Sequence, residues 1–281
     1  MLILVLIPFI CTACFEGEEG CLDFAASNYS VSADSPCPNC CTYPVFQLSF
    51  RHKAVQGRDT LNLFYEDNFQ DDFGQYFAFE DISYLLSSLH FIDFEASDVL
   101  IEEEIRVPVF EANGDSASQD FEDNFALINP SDFSTNTIGT LTFSGLVQAL
   151  NLQIGVSDLI NQTQPAYYED THPLSSVSSS LYQSEEARYA AIQLSFYRDT
   201  LRNLEELEVI NITERDASFQ VSLPINTQIP AGSNISLILE VDYLNWLSGV
   251  DIQKDSIEEV KTKIVGNIAN SISIFSITFS S

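Results

Sequence analysis

Cations are scarce in this chain: 11 Lys plus Arg stand against 41 Asp plus Glu in 281 residues, a formal net charge of −30. A surface that negative repels a phosphate backbone, which excludes nucleic-acid binding through a basic face. Histidine is also rare, with only His52, His90 and His172, and there is one Met and one Trp. No cysteine follows Cys41. The chain has no G-x-S-x-G turn, no Gly-rich phosphate loop before a helix, no H-E-x-x-H and no EF-hand spacing. With so few imidazoles, no motif nominates a base to activate a nucleophile, so the expectation is a protein that is not an enzyme. What is present is globular composition: 45% hydrophobic and 12% aromatic residues exclude a chain too polar to fold.

The first residues suggest a compartment. Leu2 to Ile10 is almost wholly apolar and leads through Cys11-Thr12-Ala13 to Cys14. Nine residues are too few to span a bilayer as a helix but suit the apolar core of a secretory signal. Small residues before a cysteine resemble a bacterial lipobox, which makes residues 1–13 the expected lipoprotein signal peptide and Cys14 the expected lipidated residue. The acidic run Glu16-Gly17-Glu18-Glu19 resembles the surface-export signal of one group of Gram-negative bacteria, or is a plain acidic tether. An outer-membrane or cell-surface address follows, with the membrane reached through the lipid and an envelope protein as a possible partner. Cys21, Cys37, Cys40 and Cys41 then remain, an even number in an oxidising compartment. Two disulfides in one of three pairings are expected, with a Cys metal site as the alternative for C-P-N-C-C. Around them, Gly20-Cys21-Leu22-Asp23, Ala26, Asn28-Tyr29 and Ala33 resemble a short module of secreted bacterial proteins. Residues 14–43 thus read as an acidic tether and Cys-rich module too small to hold a core without its staples.

From residue 44 to 281 the pattern is β. Phe46, Leu48 and Phe50 alternate with polar residues, as do Leu150 to Val156, Ile192 to Phe196, Phe219 to Ile225 and Ile235 to Tyr243. Half-apolar strands separated by turns predict one antiparallel β-sandwich rather than a parallel sheet. A C-terminal amphipathic helix is expected from Ser256 to about Ser271, opened by a Ser256/Glu259 capping box. A shorter helical turn is expected over Glu80 to Leu89. His52 continues the inward phase of Phe46, Leu48 and Phe50, and His90 is expected inward with Ile92 and Phe94, while His172 lies in a loop. Inward histidines either hydrogen-bond within the core or ligate a metal assembled from separate elements.

Several segments in order resemble one family. Tyr43-Pro44-Val45-Phe46-Gln47-Leu48-Ser49-Phe50-Arg51-His52-Lys53 resembles the opening strand of the MbnP-like family, the methanobactin-associated copper-binding proteins. Ile82 to Leu89 is similar to its Y-Y-L-S-N-I segment, and Gly145 to Asn161, with Ile154-Gly155-Val156, to its F-x-I-G-V-D-x-x-x-N motif. His172-Pro173-Leu174 and the terminal Ile268-Ala269-Asn270-Ser271 with Phe275 resemble its later motifs. The resemblance implies a β-sandwich lipoprotein that binds or acquires copper or another transition metal, with His52 as the foremost candidate ligand and His90 and His172 behind it. Copper sites take imidazole or soft sulfur ligands. The chain departs from the family at Leu181-Tyr182-Gln183-Ser184-Glu185, where both Trp of M-Y-W-x-W are absent, and in lacking a later Y-H-x-G. The alternative reading is a degenerate member acting as a non-metal adhesion or partner-binding module. A third is cation binding by Asp67, Asp71 and Asp72 or by Glu102, Glu103 and Glu104.

Overall fold

The period-two runs form strands, and the strands form two sheets. The computed structural model describes residues 17–111, 114–203, 206–213 and 219–280. The expected signal peptide, Cys11 and the lipidation candidate Cys14 lie outside the described residues. The principal strands are β1 (Val45–Gln56), β2 (Tyr76–Asp93), β3 (Asn136–Thr140), β4 (Gly145–Ile154), β5 (Ile192–Tyr197), β6 (Leu207–Ile212), β7 (Phe219–Ile229), β8 (Asn234–Asp242) and β9 (Ile272–Ser280). One sheet runs β6-β5-β2-β4-β7 and the other β3-β1-β8-β9. Their neighbours pair antiparallel except β1 and β8, which run parallel with Phe46 opposite Ile235 and His52 opposite Val241.

The sheets close on a shared apolar core, as an antiparallel sandwich requires. Phe46 and Leu48 of β1 and Leu237 and Leu239 of β8 meet Leu86 and Phe91 of β2 and Leu150 and Leu152 of β4. The Phe46 and Phe91 rings cross between the sheets at 5.4 Å, edge to face. Tyr243–Trp246 forms one helical turn, α1, and Ile257–Asn267 forms α2. Ser256 and Glu259 make the reciprocal capping box, and Val260 and Ile264 lie one turn apart on the buried face.

Glu80 to Leu89 is not helical: it is the middle of the 18-residue strand β2. Its apolar residues fall at helical as well as consecutive spacings because the strand is covered on both faces. Tyr84 and Leu86 point into the main core, while Leu85 joins a second cluster with Val107, Phe125, Val156, Ile160, Tyr168, Leu174, Leu181 and Tyr189. A strand buried on both sides loses the period-two signature. β2 also carries a bulge. Ser88 has φ 53°, and the pairing with β4 slips between Asn151/His90 and Gln153/Ser87. That slip flips the inward phase from Tyr84 and Leu86 to Leu89 and Phe91. His90 is therefore off the core face, contrary to the inward placement predicted from Ile92 and Phe94, and Phe94 is 73% exposed.

In the N-terminal segment Cys21 pairs with Cys41 at a Cα separation of 5.0 Å, and Cys37 with Cys40 at 5.7 Å. The disulfide framework thus uses all four expected cysteines and selects one of the three pairings. Asn28 ties the ends of the segment by donating to the Cys40 carbonyl at 2.6 Å and accepting from the Thr42 amide at 2.9 Å.

Candidate functional site

The three histidines occupy three separate environments. His52, on β1, is 4% exposed and lies within 5.7–6.1 Å of the rings of Tyr243, Phe50 and Phe133. Its Nδ1 is 2.8 Å from the Tyr243 hydroxyl, which is 3.2 Å from that of Tyr84. Burial drives the imidazole pKa down to about 4, against a weaker opposing pull from Asp132, so His52 is neutral near pH 7. Burial likewise raises the Tyr84 and Tyr243 hydroxyls, which stay protonated. The result is a neutral chain of core hydrogen bonds in which His52 Nδ1 and the two tyrosine hydroxyls satisfy one another.

His90, half-buried on β2, directs Nδ1 to the Ser88 carbonyl at 3.0 Å, while Nε2 lies 3.3 Å from Asn151 Nδ2 and 3.5 Å from Asp98 Oδ1. His172 is fixed at both ring nitrogens. The Leu174 amide donates to Nδ1 at 3.0 Å, so the ring proton sits on Nε2, which donates to Asp123 Oδ1 at 2.7 Å. Tyr168 stacks on the ring at 4.5 Å and Phe125 meets it edge-on at 5.8 Å. With no lone pair to spare, His172 serves neither as a base for a nucleophile nor as a metal ligand in this arrangement. It borders a cleft of about 690 Å³ whose other walls include Glu103, Ile105, Glu169 and strand β3.

The described residues do not assemble a shared copper site. Among the described residues no three or more His, Cys, Asp and Glu are grouped so that they could hold a metal. Among the described residues the cysteine sulfur that would suit copper is taken up in the two Cys pairs. The carboxylate runs also have other work. Asp71 accepts from the amides of Phe73, Gln75 and Ile252, and Asp72 from that of Gly249 at 2.6 Å, which stitches this loop to the one after α1. Glu102 accepts from the Thr142 hydroxyl at 2.6 Å. A cavity of about 380 Å³ beside Asp71 and Asp72 shares these walls.

The Ile154-Gly155-Val156 motif resolves into backbone geometry. Gly155 has φ +95°, and a Cβ there would lie 2.7 Å from that of Ala191, so only glycine lets the chain leave β4 at this point. Its amide donates to the Leu85 carbonyl and its carbonyl accepts from Ser87 Oγ. The turn launches residues 156–190 across the outer face of β2, where they build the second cluster. Within it Asn161 Oδ1 accepts from the Tyr189 amide at 2.8 Å, and the Tyr189 hydroxyl donates to the Leu174 carbonyl at 2.6 Å. The Tyr84–Tyr243–His52 chain and this tyrosine network are the polar features that sequence reasoning passed over. Tyrosine scattered through alternating runs gives no sign of which hydroxyls will meet.

The fold and the histidine environments define an all-β sandwich without an assembled metal centre among its described residues. No family model matches the chain, and no curated protein does either. Among solved structures it is similar to MbnP from Methylosinus trichosporium, with a TM-score of 0.42 over 85% of this chain and 100% of that one, at 8% sequence identity. That is a distant structural likeness and decides nothing about ligand or role. Among the described residues no helix is long and apolar enough to cross a membrane.

Proposed function

We infer that this chain is a non-enzymatic binding module of the bacterial envelope, tethered at the outer membrane or cell surface by lipid on Cys14, and not a three-histidine copper protein. The observation that carries the reading against copper is that His52, His90 and His172 are each committed to different partners, with no metal-sized group among the described residues. Ligation through Nε2 would leave the Nδ1 bonds of His52 and His90 intact, but His172 has both ring nitrogens engaged and would have to give up Asp123 or the Leu174 amide. That break strands a partly buried polar group at a cost of about 1–3 kcal/mol. The tether reading is supported by the apolar run ending in Cys11-Thr12-Ala13-Cys14 and by the paired cysteines that follow. In that setting the −30 charge holds the domain off anionic headgroups over about one Debye length, roughly 10 Å.

Metal analysis of the purified soluble chain, with Cu(I) and Cu(II) titrations at high ionic strength, tests this reading. The salt matters because so acidic a surface collects cations loosely. The wild-type chain and the His52→Ala, His90→Ala, His172→Ala triple variant are expected to retain equal, low metal. Tight stoichiometric copper in the wild type that is lost in the triple variant overturns the reading. Radiolabelled fatty-acid incorporation that survives Cys14→Ala overturns the tether at that residue.

A further inference from the structure

The four outer strands of the two sheets are not protected alike. On β6, Glu208 lies within the strand and Glu206 just before it. On β7, Pro224 removes a backbone donor and Asn226 turns to φ 44°. On the short strand β3, the Glu102 amide donates to the Thr140 carbonyl at 2.7 Å and its carbonyl accepts from the Thr140 amide at 3.0 Å, which covers that end. Charge, proline and cover are the devices that keep a sheet edge from pairing with another chain. β9 has none of the three. Among the described residues its strand partner is β8 alone. A bulge at Phe275 breaks its register once, and beyond it Ser276 to Ser280 pair regularly with Ile238 to Asn234. No charged residue occurs from Ile264 to Ser281. The core-facing residues of β8, Ile235, Leu237, Leu239 and Val241, are at most 1% exposed, whereas Ile274, Ile277 and Phe279 of β9 are only half-buried. The edge thus leaves a row of backbone groups and an apolar strip uncovered together.

Charge decides what can approach it. Strands β3, β1, β8 and β9 carry Arg51 and Lys53 against Glu240 and Asp242, so they are neutral in sum and the whole excess of −30 lies elsewhere in the chain. Nearest β9, Arg51 pairs with Glu240 at 3.4 Å and lies over the Phe275 ring at 3.7 Å. Two copies of so acidic a chain repel over most of their surfaces, but no carboxylates meet along this edge.

We propose that the partner of this edge is a second copy of the chain, with β9 pairing antiparallel to β9 across a two-fold axis perpendicular to the sheet. Such an axis keeps the core faces of the two joined sheets on the same side. Ile277 and Phe279 of one copy then meet those of the other, while Ser276, Thr278 and Ser280 meet on the outer face. Each copy supplies the donors, acceptors and apolar cover that the other lacks. A pairing this short buries less than a permanent interface does, which sets the expected dissociation constant at about 10–100 µM.

Sedimentation equilibrium of the chain carrying Cys14→Ala, so that no lipid drives association, tests the pairing. A monomer–dimer equilibrium in that range is expected, and it should tighten as salt screens the repulsion between the copies. Hydrogen exchange of the β9 amides should slow as the concentration rises. Ser276→Glu, Thr278→Glu and Ser280→Glu combined set like charges against one another across the axis, and are expected to weaken association about tenfold or more. Ser116→Glu, Ser118→Glu and Gln119→Glu add the same charge on an exposed hairpin strand, and are expected to weaken it less than about threefold. If the edge variant fails to fold, the exchange protection of β9 in the parent chain decides the matter. A chain that stays monomeric to about 0.5 mM overturns the proposal. Dimers with unprotected β9 amides, dimers that salt loosens, or equal effects of the two charge triples overturn it as well. None of these outcomes touches the copper or lipid readings, which rest on other residues.

Discussion

The two apolar clusters of this protein are built by different rules. The main core is filled from alternating strands, and its principal polar insertion, His52–Tyr243–Tyr84, is internally satisfied. The second cluster is made largely from the chain between β4 and β5, laid over the back of β2. Its side chains arrive from turns and short 3₁₀ segments at Ile160–Gln162 and Pro165–Tyr167, so its backbone amides and carbonyls must find side-chain partners. Asn161, Thr163, Ser175 and Tyr189 supply them. Strand ladders satisfy their own backbone, whereas a loop-built layer spends polar side chains on the task and can leave one donor over. That difference concentrates loop-borne side-chain hydrogen bonds in the second cluster and regular ladders in the first.

The comparison breaks if the two clusters unfold as one. Leu150→Ala in the main core is expected to cost about 2–5 kcal/mol of global stability by chemical denaturation. Leu174→Ala, at an equally buried site in the second cluster, is expected to speed amide exchange around Tyr189 and Ala190 while β4 stays protected. Equal loss of protection in β4 would make the layers a single cooperative unit.

Acidification probes the main core through His52. The His52 pKa is about 4 folded and about 6.5 unfolded, so the unfolded chain binds the proton more readily between these values. The contribution is intact above about pH 6.5 and is lost as pH falls toward 4. At pH 5 it amounts to about 2 kcal/mol of destabilisation relative to pH 7. His52→Gln should remove that component while the carboxylate-driven decline remains, and identical pH slopes in the two proteins would refute the assignment.

Smaller effects sharpen the contrast. Tyr189→Phe strands the Leu174 carbonyl inside the second cluster and is expected to cost about 1 kcal/mol, read from the thermal midpoint. The Arg106–Asp120 pair at 3.2 Å sits on an exposed hairpin, with side chains 66% and 57% accessible. Arg106→Gln should shift stability by no more than about 0.5 kcal/mol, and less in high salt.

Legibility of the fold follows the same divide. β1, β4, β7 and β8 coincide with alternating runs because each shows one face to the core and one outward, and β5 keeps the alternation in chemistry although Ser195 and Tyr197 on its other face are also buried. The helix was readable from Ser256, Glu259, Val260 and Ile264, since a capping box and i, i+4 spacing are local facts. Glu80 to Leu89 of β2 lacks the alternation because burial on both faces erases it, and His90 turns off the core because Ile92 and Phe94, whose phase it shares, are not core residues: Phe94 is 73% exposed, and the inward residues after Ser88 are Leu89 and Phe91. Asn161 was visible only as part of a motif. Nothing near it in sequence indicates that Tyr189, 28 residues on, would take its oxygen and leave its nitrogen without a partner.

By itself the sequence determined the β class, the terminal helix, the cysteines that pair and the absence of a basic surface, because each depends on local spacing or on sums over the chain. The tertiary structure alone decided which cysteines join, which way each histidine turns and which buried amide is left unsatisfied. These depend on contacts between residues far apart in the chain, and a single extra residue in a strand is enough to exchange the two faces.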